Sequence, residues 1–198
     1  MSSTVLTPPQ IESPWTLPSR GRVGMFSLIA AESAIFTIFV VAYVFYLGKS
    51  ISGPTPRDVL ELPIFNTACL LLSSLTIHFA ISALRKGKSG AFVGLWALTF
   101  LLGAIFLVGT GREWHHLIYD KGLTIQTNLF GTTYYSLVGL HAFHVIVGLT
   151  GILIVLAFAL AGQVKEEHSD RLDVFSLYWH FVDTVWVVVF LVVYVIGR

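Results

Sequence analysis

The sequence predicts an all-α fold, an integral membrane bundle of five transmembrane helices with the N-terminus in and the C-terminus out. Three observations predict it. Of 198 residues, 55% are hydrophobic and only 12% are charged, whereas about a quarter of an ordinary soluble domain is charged. Five separate runs reach the roughly 20 mostly apolar residues that a helix needs to cross the hydrocarbon layer. The basic residues in the links between those runs gather more on one side than on the other.

The elements follow in order. Residues 1–21 hold Pro8, Pro9, Pro14 and Pro18 and lack the apolar core of a cleavable signal peptide. They are expected to form a poorly ordered leader, with Trp15 resting at the membrane surface, ahead of a transmembrane domain over 22–198. The spans are Val23–Leu47, Pro63–Leu84, Phe92–Gly109, Leu129–Gly162 and Val174–Gly197. The end of the third is blurred by Gly109, Gly111 and Arg112. The fourth is over-long and is expected to tilt or to project beyond the lipid. No internal repeat is evident. This order puts Arg20, Arg22, Arg85, Lys86, Lys88, Lys165 and Arg171 on one side and Lys49, Arg57, Arg112, Lys121 and Arg198 on the other. The excess of basic residues makes the first side cytoplasmic.

The net charge of +1 gives no reason to expect a nucleic-acid partner. The single cysteine, Cys69, can form neither an internal disulfide nor a thiolate cluster. Nucleotide-binding glycine loops, zinc-type histidine–glutamate motifs and a serine elbow are all missing, so no catalytic residue and no metal site is assigned. His115 and His116, adjacent in the outer loop, are expected to be solvated.

The informative residues are the ionisable ones inside the spans. Glu32 sits about ten residues into the first span, roughly 15 Å deep at the helical rise. His141 and His144 lie near the middle of the fourth, His180 and Asp183 in the fifth, and His78 toward the cytoplasmic end of the second. A carboxylate at the bilayer centre costs on the order of 3 kcal/mol by insertion scales, so these groups should face protein or a wet cavity. His141, His144, Gly148 and Gly151 share one helix face, as do Ser176, His180 and Asp183, and also Thr67, Ser74 and His78; Glu32, Phe36 and Phe39 line one side of the first helix. The stripes are expected to converge, letting Glu32 share a hydrogen bond or a proton with a histidine. The plainer alternatives stay open: Ser, Thr and small residues as packing glue, histidines as structural hydrogen-bonders, Asp183 and His180 satisfying one another, and Trp114, Trp179 and Trp186 as interface anchors or packing.

Particular strings then carry a resemblance. Gly122-Leu-Thr-Ile-Gln-Thr-Asn-Leu-Phe-Gly-Thr-Thr-Tyr-Tyr, followed by Gly139-Leu-His-Ala-Phe-His-Val-Ile-Val-Gly148, resembles subunit III of the heme-copper terminal oxidases, cytochrome c and quinol oxidases alike. So do Tyr178-Trp-His-Phe-Val-Asp-Thr-Val-Trp186, Arg22-Val-Gly-Met-Phe with Ala31-Glu-Ser-Ala-Ile-Phe36, and Phe65-Asn-Thr-Ala with Leu71-Leu-Ser-Ser74. The likeness covers roughly residues 20–198 and resembles the five-span form of a family whose large form has seven. It implies a non-catalytic subunit of a complex that reduces oxygen to water and pumps protons. Such a subunit carries no heme and no copper, which belong to partner subunits. It packs against the catalytic subunit I, beside subunit II and the others, supports proton uptake, protects the active site during turnover and holds phospholipid in a cleft. It implies a multi-pass protein of a bacterial cytoplasmic (inner) membrane. Glu32 matches the family's intramembrane glutamate, His141 and His144 its paired histidines, and His180 and Asp183 its His-Phe-Val-Asp string. Ala31 stands where many members have Ser, and Ala142-Phe143 where Gly-Leu is frequent. Other readings of the same residues are an accessory protein of a nitric oxide reductase, a proton-coupled transporter and a heme-b membrane protein.

Overall fold

A computed structural model describes residues 19–197. The expected leader residues 1–18, with their prolines and Trp15, and the terminal Arg198 lie outside the described residues. Six α-helices follow one another: α1 Arg20–Tyr46, α2 Pro56–Val59, α3 Ile64–Arg85, α4 Ser89–Tyr119, α5 Leu129–Leu160 and α6 Ser169–Phe190. A 3₁₀ turn, Glu166–His168, leads into α6, and α6 continues as a π-helical turn, Leu191–Ile196. Among the described residues there is no strand. Five helices are long and apolar enough to cross a membrane, the last running from Glu166 to Ile196.

The helices run past the expected bounds at several ends, including the start of α6, which begins at Ser169 rather than Val174. Helix α1 begins at Arg20, inside the segment assigned to the leader, because the Ser19 hydroxyl accepts a hydrogen bond from the Arg22 amide at 3.4 Å and caps it. Helix α4 runs ten residues past Gly109, to Tyr119. Its last turns stay wound because one face remains buried: Leu117 is fully enclosed and Trp114 packs edge-on against Tyr135 of α5, with ring centroids 5.4 Å apart. His115 and His116 therefore sit on a helix rather than in a loop. Both are exposed, and His116 Nδ1 lies 2.7 Å from Asp120 Oδ2. The short α2, within the link between the first two spans, was not expected.

Helices α3 and α4 form a tight antiparallel hairpin. Gly87 turns the chain with φ at +69°, and the Gly87 and Lys88 amides close back onto Leu84 and Ala83 of α3. Only glycine adopts that left-handed conformation freely. Helix α4 packs on α5, α5 on α6, and α6 back on α3, so these four surround a common core. Helix α1 lies outside them, mainly against α5 and α6.

At the centre sits Trp179 of α6, with no solvent exposure. Its indole N–H donates to Ser73 Oγ of α3 at 2.9 Å. Its ring lies against Gly103 of α4 and Gly148 of α5. A single side chain thus touches α3, α4 and α5. Gly148 and Gly151 serve α6 in the same way, admitting the rings of Trp179 and Phe175. Two more indoles cross-link the core: Trp96 donates to the Ile152 carbonyl at 2.9 Å and Trp186 to Thr67 Oγ1 at 3.1 Å. Trp179 and Trp186 are packing residues, not interface anchors.

A Cβ at residue 148 would stand 2.6 Å from the Trp179 ring, and that ring is held by its own hydrogen bond. Gly148→Ala is therefore expected to destabilise the protein by about 1–3 kcal/mol through overpacking. Gly94→Ala, where a Cβ meets nothing within 4 Å, should leave the Tm unchanged or raise it slightly. Thermal unfolding of the two purified variants in one detergent checks both.

Candidate functional site

The ionisable residues expected at membrane depth form two separate clusters and two isolated positions. In the first cluster, Glu32 of α1 meets His144 of α5, with Oε2 and Nε2 3.2 Å apart. Phe36, one turn along α1, packs its ring 5.0 Å from the imidazole. The His144 side chain is 8% exposed and that of Glu32 is 23% exposed. His144 Nδ1 lies 2.8 Å from the Leu140 carbonyl. A carbonyl oxygen can only accept, so Nδ1 carries a hydrogen. Neutral His144 then has a bare Nε2, and the contact with Glu32 needs a proton on one side or the other. Either a protonated Glu32 donates to neutral imidazole, or an imidazolium donates to the carboxylate. The contact thus joins α1 to α5 through one carboxyl oxygen and one imidazole nitrogen.

In the second cluster, Ser74 of α3 serves two residues of α6. Its hydroxyl donates to Asp183 Oδ2, and its oxygen lies 2.9 Å from His180 Nδ1. With the hydroxyl hydrogen given to the carboxylate, the imidazole N–H is the donor to Ser74. His180 and Asp183, three residues apart, are thus joined through a serine on another helix. Asp183 is buried, and its Oδ1 has no partner among the described residues. The placement follows from the core: Trp179, Asp183 and Trp186 lie at i, i+4 and i+7 on α6 and meet Ser73, Ser74 and Thr67 of α3.

His141 and His78 join neither cluster, so the four polar stripes do not converge on one point. His141 is fully enclosed, its ring stacked 4.9 Å from Trp186 and edge-on to Phe106, and neither ring nitrogen has a partner among the described residues. The Trp186 ring occupies the space through which His141 would reach α3. His78 is exposed one turn along α3 from Ser74, with Phe79 beside its ring and no hydrogen bond among the described residues to either cluster.

Two further groupings were not anticipated. Glu113, near the end of α4, accepts hydrogen bonds at Oε1 from Tyr194 at 2.9 Å and Tyr134 at 3.3 Å, and the two phenols lie 3.2 Å apart. The π-helical turn carries Tyr194 to this position. At the other end of the bundle, Asp173 of α6 pairs with Arg22 of α1 at 2.9 Å and with Arg85 of α3 at 3.2 Å. Among the described residues, no three His, Cys, Asp or Glu side chains are placed to hold a metal ion.

These features define a multi-pass, all-helical membrane protein with hydrogen bonds between polar side chains of different helices. Residues 19–198 match the family described as Cytochrome c oxidase subunit III. The chain belongs to that family, the third subunits of respiratory heme-copper oxidases. It is similar to the Cytochrome bo(3) ubiquinol oxidase subunit 3 of Pseudomonas aeruginosa, at 34% identity over 88% of this chain and 84% of that one. It is similar to the Cytochrome c oxidase subunit 3 of Alkalihalophilus pseudofirmus, at 34% identity over 92% and 90% of the two chains. A third relative is the Cytochrome c oxidase subunit 3 of Synechocystis sp., at 36% identity over 90% and 77%.

Ser74→Ala should strand Asp183 without its hydrogen-bond donor, at a cost of about 1–3 kcal/mol for a buried unsatisfied group. Ser74→Thr keeps the hydroxyl and should recover most of that loss. The comparison is made by thermal unfolding of the three proteins side by side.

Proposed function

We propose that this subunit supports an oxygen-reducing, proton-pumping catalytic partner by holding a protonatable pair, Glu32 and His144, inside the membrane beside it. The single observation that carries this reading is the hydrogen bond from His144 Nδ1 to the Leu140 carbonyl. It supports a tautomer with Nδ1 protonated, and in this reading a proton resides between Nε2 and the Glu32 carboxylate. A pair of this kind can receive a proton on one face and release it on another without any redox group. His180 and Asp183, joined by Ser74, form a second reservoir in the same reading. His141 and His78 are reserve positions, the first enclosed and the second open to a partner subunit.

The remaining roles follow the family. The subunit stabilises subunit I, sits beside subunit II, and carries no heme or copper of its own. Phospholipid acyl chains occupy the groove between α1 and α6. That groove has a volume of about 260 Å³ and is lined by Ser33, Phe36, Val40, Phe181 and Thr184. Residues 22–198 belong to the membrane domain, whose first helix reaches back to Arg20 within the segment assigned to the leader. The bundle sits in a bacterial cytoplasmic membrane with its N-terminus in and its C-terminus out. The Arg22 and Arg85 ion pairs with Asp173 support that orientation, since they place a basic belt at the cytoplasmic end.

Glu32→Gln keeps the shape of the side chain but cannot take up a proton. In the assembled oxidase it is expected to leave subunit content unchanged, slow proton uptake and shorten the number of turnovers before inactivation. Oxygen consumption and pH changes of reconstituted vesicles read both. A variant with unaltered pumping, turnover lifetime and bound phospholipid would reduce the pair to a structural contact.

A further inference from the structure

At the end of the bundle carrying the N-terminus of α3 and the C-terminus of α4, a cavity of about 400 Å³ opens between the two helices. Its polar walls are Glu61, Asn66, Arg112 and Glu113, and Leu62 and Pro63 form an apolar edge. Arg112 lies 23 residues beyond Ser89, the start of α4. At the helical rise that is about 35 Å, beyond a hydrocarbon core about 30 Å thick. The cavity therefore sits at the level of lipid headgroups.

Three ionisable side chains face it without forming an ion pair. Among the described residues no ion pair joins Arg112, Glu61 or Glu113 to any group, although all three line the same space. Glu113 is built in: both tyrosine hydroxyls bind Oε1, and the other carboxylate oxygen has no hydrogen-bond partner among the described residues. Asn66 is seated against Gly109, where any Cβ would collide with its amide. His116, also on the rim, is engaged by Asp120. Beside the mouth, Leu62, Ile64 and Phe65 are exposed, the last two by more than half.

A ligand that satisfies this set needs a cation for the two carboxylates, an anion for the guanidinium and apolar length for the edge. A bare anion would face two carboxylates, and a bare metal ion would face Arg112. We infer that the cavity is a headgroup site for a zwitterionic phospholipid. Its primary ammonium rests on Glu61 and the unused oxygen of Glu113. Its phosphate rests on Arg112, where a guanidinium suits a phosphate oxygen pair, and its acyl chains run down over Leu62, Ile64 and Phe65. This site is separate from the groove between α1 and α6 and does not depend on the role of Glu32.

The test uses the whole oxidase complex in nanodiscs of equal phosphatidylethanolamine and phosphatidylglycerol. After transfer to mild detergent, mass spectrometry counts the retained lipids. Glu61→Gln and Arg112→Gln change exposed side chains with no hydrogen bond among the described residues, so the bundle should keep its Tm. Each is expected to lose a retained phosphatidylethanolamine while the phosphatidylglycerol count stays unchanged. Lys121→Gln, a basic residue outside the cavity, should lose neither. An unchanged phosphatidylethanolamine count in both cavity variants would overturn the proposal, as would equal loss of the two lipids or the same loss in Lys121→Gln.

Discussion

The indole of Trp179 sets how the helices of this bundle face one another. In a hydrocarbon layer, apolar side chains gain nothing by leaving lipid for protein, so helices associate through close packing and interhelical hydrogen bonds. Trp179 supplies both. Its N–H bonds Ser73 of α3, and its ring fills the space left by Gly103 on α4 and Gly148 on α5. That contact fixes the rotation of α6 about its own axis. Asp183 and Trp186, on the same face, are thereby turned toward Ser74 and Thr67. The second polar cluster is thus a by-product of a packing decision made one turn away.

The pairing of charges follows a consistent division. At the end where α6 begins, Asp173 collects two arginines in partly exposed ion pairs, which in such settings contribute little to stability. At mid-depth, Glu32 and His144 meet across α1 and α5 at 3.2 Å. Near the opposite end, Glu113 is held by two phenols and by no cation. Arginine–carboxylate pairs lie at the end where α6 begins, and the carboxyl groups of Glu32 and Glu113 meet an imidazole and two phenols instead. That is the arrangement a low-dielectric setting favours, since an isolated buried ion is costly.

Much of this was legible from residue order. Five spans could be recognised because each backbone must satisfy its own hydrogen bonds in lipid, which demands long apolar runs. Glu32 and His144 could be singled out because ionisable side chains are expensive there. The ends were harder. The last ten residues of α4 look like a loop in composition, yet Trp114 and Leu117 bury one face against α5 and keep the helix wound. Glu113 was overlooked for that reason, and so was the value of Tyr134 and Tyr194 as its donors. The meeting of the stripes was also not legible. It depends on which helices are neighbours, and α1 lies on α5 and α6, away from α3. Periodicity tells which residues share a face but not what that face meets.

The position of α1 has a consequence for how the molecule is made. Chains are synthesised from the N-terminus, so among the described helices α1 is made before the others. Yet Glu32 finds His144 112 residues later, and Arg22 finds Asp173 151 residues later. The hairpin of α3 and α4 can close as soon as it emerges, whereas α1 waits in lipid, with an unmatched carboxyl group, until the last two helices arrive. Among the described helices, the one made first thus completes its contacts only once α5 and α6 have been made.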